Sequence, residues 1–148
     1  MKVTFIRHQR CYNLHPDGTT NYMRVNPPLT PEGIEEAKAL TGSYDLVIVS
    51  PLSRCIETYM YSSIEGPRVV HELFREWIQC PGDFRQNDPA TQFCEGYPEF
   101  SRRVAKACEY LHSLQVENVC VITHSEWIKE ALKLTETPDY GESLTSYL

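Results

Sequence analysis

Four residues stand where they could do chemistry together. Arg7 and His8 follow the apolar stretch "VTFI". Arg54 closes "SPLSR" after the apolar "LVIV", and His124 sits in Thr123-His124-Ser125 after "VCVI". A guanidinium reads oxyanions bidentately, and a neutral imidazole is a competent nucleophile. Two of each suggest an anion with several oxygens, phosphate before carboxylate or sulfate. One imidazole could attack phosphorus while the other donates a hydrogen bond to the phosphoryl oxygens. The arginines would neutralise the charge that spreads over those oxygens in the transition state. A leaving alkoxide also needs a proton, which calls for a carboxylic acid over the site. "HELFREWIQCPGD" offers Glu72, Glu76 and Asp83.

Residues this far apart meet only if the fold brings them together. Residues 3–7, 45–50 and 118–123 read as strands, and the last two are short continuous apolar runs of the buried kind. Residues 68–73 read as a short edge strand. Helices are expected over 29–40, 51–63, 98–115 and 125–134. Thr30 is the expected N-cap of the first, with Pro31 opening it. The longest carries Phe100, Val104, Ala107, Cys108, Leu111 and Leu114 at helical spacing. Residues 8–29 and 74–96 read as loops, the second a candidate lid, and 135–148 shows no pattern that places it. Alternating strands and helices favour an α/β fold, a three-layer α/β/α sandwich with a mostly parallel sheet. The 148 residues read as a single domain. In such sheets the ligand crevice lies beyond the carboxyl ends of the strands, which is where Arg7, His8, Arg54 and His124 fall. Helices starting near 51 and 125 would add backbone N–H groups to the same rim.

A net charge of −6 argues against nucleic acid as a partner. It leaves room for a small phosphorylated substrate or a phosphoprotein held in a local basic pocket. No apolar run is long enough for a membrane span or a signal peptide, so a soluble, cytoplasmic protein without membrane contact is expected. Six cysteines with no Cys-x-x-Cys pair read as reduced thiols. His8, Cys11 and His15 stand at metal-like spacing. The neighbouring arginines oppose a cation and no fourth ligand suggests itself, so neither metal nor cofactor is expected.

The motifs together resemble the histidine phosphatase superfamily, the phosphoglycerate mutase-like clan. "FIRHQR" is similar to its Arg-His-Gly signature and "PPLTPEGIEEAKAL" to its Leu-Thr-x-x-Gly helix. "YDLVIVSPLSRCIET" is similar to its Ser-Pro-Leu-x-Arg-x-x-x-Thr segment. "LFREW" resembles the stretch that holds the acid, "FCEGYPEFSRRV" the opening of the long helix, and "NVCVITHSEWIKEAL" the strand–His–helix unit. The resemblance runs from residue 3 to about 134, in the family's order. It implies a phosphoglycerate mutase-like fold and a metal-independent phosphomonoester hydrolase. His8 would become phosphohistidine, while Arg7, Arg54 and His124 bind the phosphoryl oxygens. Glu76 would be the proton donor and then the base for water. Asn13 would be a further phosphate contact, one place nearer His8 than the common spacing.

The chain also departs from the family's pattern. Gln9 and Ser125 stand where Gly is usual, Cys11 where Ser or Thr is common, and Gly96 where Ser is. Glycine lets backbone approach a ligand, so Gln9 and Ser125 would either narrow the pocket or supply side-chain donors. Two other functions stay open: a degenerate member that binds a phosphorylated ligand without turnover, and a phosphoglycerate-type mutase, which the short chain disfavours. Arg102 and Arg103 read as a solvated helix face, with Arg103 able to tie the lid to the helix through Glu95.

Overall fold

The computed structural model describes residues 1–13, 17, 19, 21 and 24–148. Along the chain come β1 (Lys2–Arg7), α1 (Pro31–Ala37), β2 (Thr41–Ser43), β3 (Leu46–Val49), α2 (Ser53–Tyr61) and β4 (Ser63–Glu65). Then follow β5 (Arg68–Val70), α3 (Tyr97–Ser113), β6 (Asn118–Thr123), α4 (Ser125–Leu132) and β7 (Ser143–Tyr147). The main sheet has the order β5-β3-β6-β1-β7. Its first four strands are parallel and β7 runs antiparallel along β1. β2 and β4 make a separate two-stranded parallel pair.

Strand periodicity sorts the apolar side chains onto the two faces. Val3, Phe5, Ile48, Val119 and Val121 meet Phe100, Val104, Ala107 and Leu111 of α3 and Trp127 and Ile128 of α4. Ile6, Val47, Val49, Cys120 and Ile122 meet Cys55 of α2 on the other side, and α1 packs on α2. The result is the expected α/β/α layering with a mostly parallel sheet. Full burial of side chains such as Phe5, Phe100 or Leu111 contributes about 1.5–3 kcal/mol each before entropy is counted.

Helix α1 starts as its sequence demands, with the Gly33 N–H donating to Thr30 Oγ1 at 3.0 Å. A Cβ on Gly33 would collide with the Arg10 carbonyl. Glycine is therefore required for α1 to lie against the chain that leaves His8.

The structure corrects the sequence reading in three places. The strand expected over 68–73 stops at Val70, and Glu72–Phe74 turn into a 3-10 segment. The paired β2 and β4 are an addition to the expected elements, because all three residues of "TGS" are exposed and carry no apolar pattern. The segment after α4 is not featureless: it returns to form β7 on the open edge of β1. β7 is an edge strand, half-buried only at Leu144 and Ser146, so its alternation is invisible in hydrophobicity. Of the loop expected over 8–29, residues 14–16, 18, 20, 22 and 23 lie outside the described residues. Among those described, no helix is long and apolar enough to cross a membrane.

Candidate active site

Sheet register assembles the site. Arg7 lies opposite Thr123 in the parallel β1–β6 pair, so the next residue of each strand, His8 and His124, emerge side by side. The His8 N–H donates to the Thr123 carbonyl at 3.0 Å, and the two rings stand edge to face with centroids 5.2 Å apart. β3 flanks β6 on its other side. Ser50, just past it, comes within 2.7 Å of His124 Nε2 through its Oγ. Helix α2 then starts, and Arg54 in its first turn reaches the same rim. A cavity of about 660 Å³ opens there, lined by Arg7, His8, Asn13, Arg54, Glu76 and Asp83 together with Cys11, Cys80, Ser125 and Glu126. His124 is not on its wall; it stands fully buried behind His8.

The protonation of His8 follows from one contact. Its Nδ1 lies 2.7 Å from the Gln9 carbonyl oxygen. A carbonyl only accepts, so Nδ1 carries the proton and Nε2 keeps its lone pair. Burial, and then the charges of Arg54 and Arg7, hold the His8 pKa well below the usual imidazole value, against the Gln9 carbonyl bond. Burial, Arg54 and His8 do the same to His124. Both imidazoles are neutral at pH 7.

The two arginines are held by different means. Arg54 donates through Nη1 to the Gly82 carbonyl at 3.0 Å and through Nη2 to Asp83 Oδ1 at 3.1 Å. Asp83 Oδ2 in turn accepts from the Gln79 N–H at 3.0 Å. Arg7 donates through Nη1 to the Pro138 carbonyl at 2.8 Å, and its guanidinium lies 3.9 Å over the ring of Tyr140. Arg7 Nε is buried and has no partner among the described residues. Asn13 Nδ2 donates to the Tyr140 hydroxyl at 3.4 Å.

Of the three candidate carboxylates, geometry singles out one. Glu72 is exposed and pairs with Arg85 and Arg75. Asp83 is committed to Arg54. Glu76 is buried and faces the cavity. Its Oε1 accepts from the Trp77 and Trp127 N–H groups, both at 3.0 Å, and its Oε2 from the Glu126 N–H at 3.2 Å. Glu76 thus sits at the positive end of α4. Those N–H bonds and Arg54 favour the carboxylate, but burial and then the charge of Asp83 prevail, and the pKa is pushed up to about 7. A carboxyl poised there can give and take a proton at neutral pH. Arg103 holds the backbone that carries it, donating to the carbonyls of Arg75 at 2.6 Å and Glu76 at 2.9 Å while pairing with Glu95 at 2.6 Å. Arg103 is therefore a half-buried tie between loop and α3, and Arg102 is the solvated one of the two.

The departures Gln9 and Ser125 resolve differently. Gln9 is buried but does not line the cavity. Its backbone N–H donates to Thr58 Oγ1 at 3.0 Å, and its amide lies against Gly141, where a Cβ would collide with it. It neither narrows the pocket nor offers it a donor, because the return of the chain at 141 supplies the space its side chain needs. Ser125 does face the cavity, and its Oγ is 3.5 Å from Glu76 Oε2. All six cysteines are free thiols, and Cys11, Cys80 and Cys94 face the cavity, a placement their spacing gives no sign of. His15 lies outside the described residues, among which no group of three His, Cys, Asp or Glu could hold a metal ion. Sequence reasoning missed Tyr140, Pro138 and the pairing role of Asp83. None sits in a periodic or motif-like setting. Ser50 was missed as well, although it stands inside the quoted "SPLSR", directly after a buried strand.

Known proteins share this chain's sequence pattern and its fold. The sequence model of the histidine phosphatase superfamily (branch 1) matches residues 3–142. The fold is similar to that of a provisionally assigned alpha-ribazole-5'-P phosphatase from Escherichia coli, at 22% identity and TM-score 0.75, covering 98% of this chain and 89% of that one. It is similar to a phosphoserine phosphatase from Entamoeba histolytica solved with 3-phosphoglyceric acid, at 16% identity and TM-score 0.70, covering 97% and 89%. It also resembles a phosphoglycerate mutase from Thermus thermophilus, at 19% identity and TM-score 0.65, covering 98% and 92%. No curated protein matches the sequence.

Proposed function

The chain belongs to the histidine phosphatase superfamily, branch 1, and we propose that it hydrolyses phosphomonoesters through a phosphohistidine on His8, without a metal. The observation that carries this is the His8 Nδ1–Gln9 carbonyl contact at 2.7 Å, which leaves a neutral Nε2 lone pair for a cavity that Arg7, Arg54 and Glu76 also line. In the first step Nε2 attacks phosphorus and the ester P–O bond breaks. Protonated Glu76 gives its proton to the departing alkoxide. In the second, the Glu76 carboxylate takes a proton from water, the resulting hydroxide attacks phosphorus, and the P–N bond breaks to return neutral His8 and phosphate. The guanidiniums supply the positive charge that a metal would otherwise provide. His124, buried with its ring edge to face against that of His8, positions the nucleophile, and Asn13 stands at the cavity wall. The cavity volume suits a small phosphorylated molecule.

Acid-quenched protein given a labelled phosphomonoester should carry acid-labile, base-stable label, and His8→Ala should lose both label and turnover while keeping its melting temperature. No label and no hydrolysis across a substrate panel, p-nitrophenyl phosphate included, would sink the proposal. A second reading, a binder without turnover, is favoured by the Asp83 carboxylate seated on Arg54. It predicts that orthovanadate raises the melting temperature while the same panel stays intact.

A further inference from the structure

We infer that the segment Pro138–Gly141 belongs to the phosphate clamp, with Tyr140 as the positioning residue that holds Arg7 ready for an oxyanion. This rests on the phosphatase reading of the site. Five residues between Arg7 and Asn13 touch this short segment, Arg10 among them with its guanidinium 5.5 Å over the Tyr140 ring. The Arg7 carbonyl accepts from the Gly141 N–H at 3.0 Å, and its Nη1 donates to the Pro138 carbonyl at 2.8 Å. Its guanidinium lies 3.9 Å over the Tyr140 ring. The same ring stands 5.8 Å from that of His8, and its hydroxyl accepts from Asn13 at 3.4 Å. Gln9 packs on Gly141.

A guanidinium on a three-carbon stem has many rotamers, and an anion-binding site is stronger if that freedom is removed before the anion arrives. An aromatic face and a carbonyl do this without a negative charge. No carboxylate pairs with Arg7 among the described residues, and of its two terminal amino groups only Nη1 is tied down, to the Pro138 carbonyl, so Nη2 remains for phosphate oxygens. Packing alone is a poor account of Tyr140. The β1–β7 ladder begins only at Ser143, and the turn that carries Tyr140 closes on itself through the Glu142 N–H to the Asp139 carbonyl at 3.1 Å.

The test measures inorganic phosphate binding by calorimetry, with thermal unfolding in parallel, for the wild type, Tyr140→Phe and Tyr140→Leu. Phenylalanine should keep the affinity within about twofold, and leucine should weaken it about fivefold, as loss of a half-buried cation–π contact implies. Should leucine prevent folding, a series of fluorinated phenylalanines at 140 keeps the shape while draining the ring face, and affinity should fall with each fluorine. Leucine or the fluorinated rings binding phosphate as tightly as the wild type would overturn the inference and leave the phosphatase reading standing. A wild type that binds neither phosphate nor orthovanadate overturns both.

Discussion

Arg7 and Arg54 enter one cavity from opposite settings. Arg54 is anchored by a carboxylate, Asp83, with both side chains largely out of water. Arg7 is anchored by a ring face and a backbone carbonyl. A charged anchor fixes a guanidinium firmly but cancels part of its field, and burying such a pair costs desolvation on both partners. A neutral anchor holds less firmly and leaves the field to the ligand. The charged anchor has a second consequence, because Asp83 is also what helps raise Glu76. On the proposed function one arginine is thus tied into tuning the acid, while the other is kept for the anion.

The largest test of this contrast removes each arginine in turn. Arg54→Ala strands a buried Asp83 and should cost about 3–5 kcal/mol in urea unfolding. Arg7→Ala strands no charge and should cost about 1–2 kcal/mol. Both should lower kcat/KM by about 10²–10³. If Arg7→Ala proves the more destabilising, the contrast is wrong. The double variant Arg54→Met with Asp83→Leu should recover most of the stability, since apolar replacement of a buried pair is often neutral or better. Its activity should stay lost.

A smaller effect is expected in the pH profile. On the proposed mechanism hydrolysis needs neutral His8, whose pKa is well below the usual value, and protonated Glu76, whose pKa is about 7. The rate should fall on the alkaline side near pH 7 and hold on the acid side well past the ordinary imidazole range. Asp83→Asn removes a negative neighbour of Glu76 and should move the alkaline limb to lower pH; Tyr140→Phe should not move it. An unmoved limb in Asp83→Asn would detach the charged anchor from the acid. Stability follows the same signs. The raised Glu76 favours the fold below the ordinary carboxyl range and loses that contribution as pH climbs through about 7. The neutral buried histidines withdraw stability as pH falls below the ordinary imidazole value. The smallest effect tests the neutral side. Gly141 has φ +70°, so Gly141→Ala should cost about 1–2 kcal/mol for the left-handed backbone. Adding Gln9→Ala should relieve the collision but not that backbone cost.

Much of this site is legible in the chain because its parts obey local rules. Apolar runs mark buried strands, and polar residues at their ends mark the rim. Thr30 and Pro31 mark a helix start that the structure shows. The parallel alternation of strands and helices then carries Arg7, His8, Arg54 and His124 to one edge. Residue types alone do not separate Glu76 from Glu72 and Asp83. Burial and cap geometry do, and those depend on where α4 begins and on Arg103 holding the loop backbone.

The sequence by itself determined which residues could form the reactive rim, since strand ends and helix starts are written in hydrophobic period and capping chemistry. Only the tertiary structure decided what holds them. Tyr140 lies over Arg7, Gly141 accommodates Gln9, and Asp83 takes Arg54. Such contacts join residues far apart in the chain, across an edge strand and a loop that bury too little apolar surface to leave a pattern. Their energy comes from charge and shape at one point in space, and no period in the sequence records that.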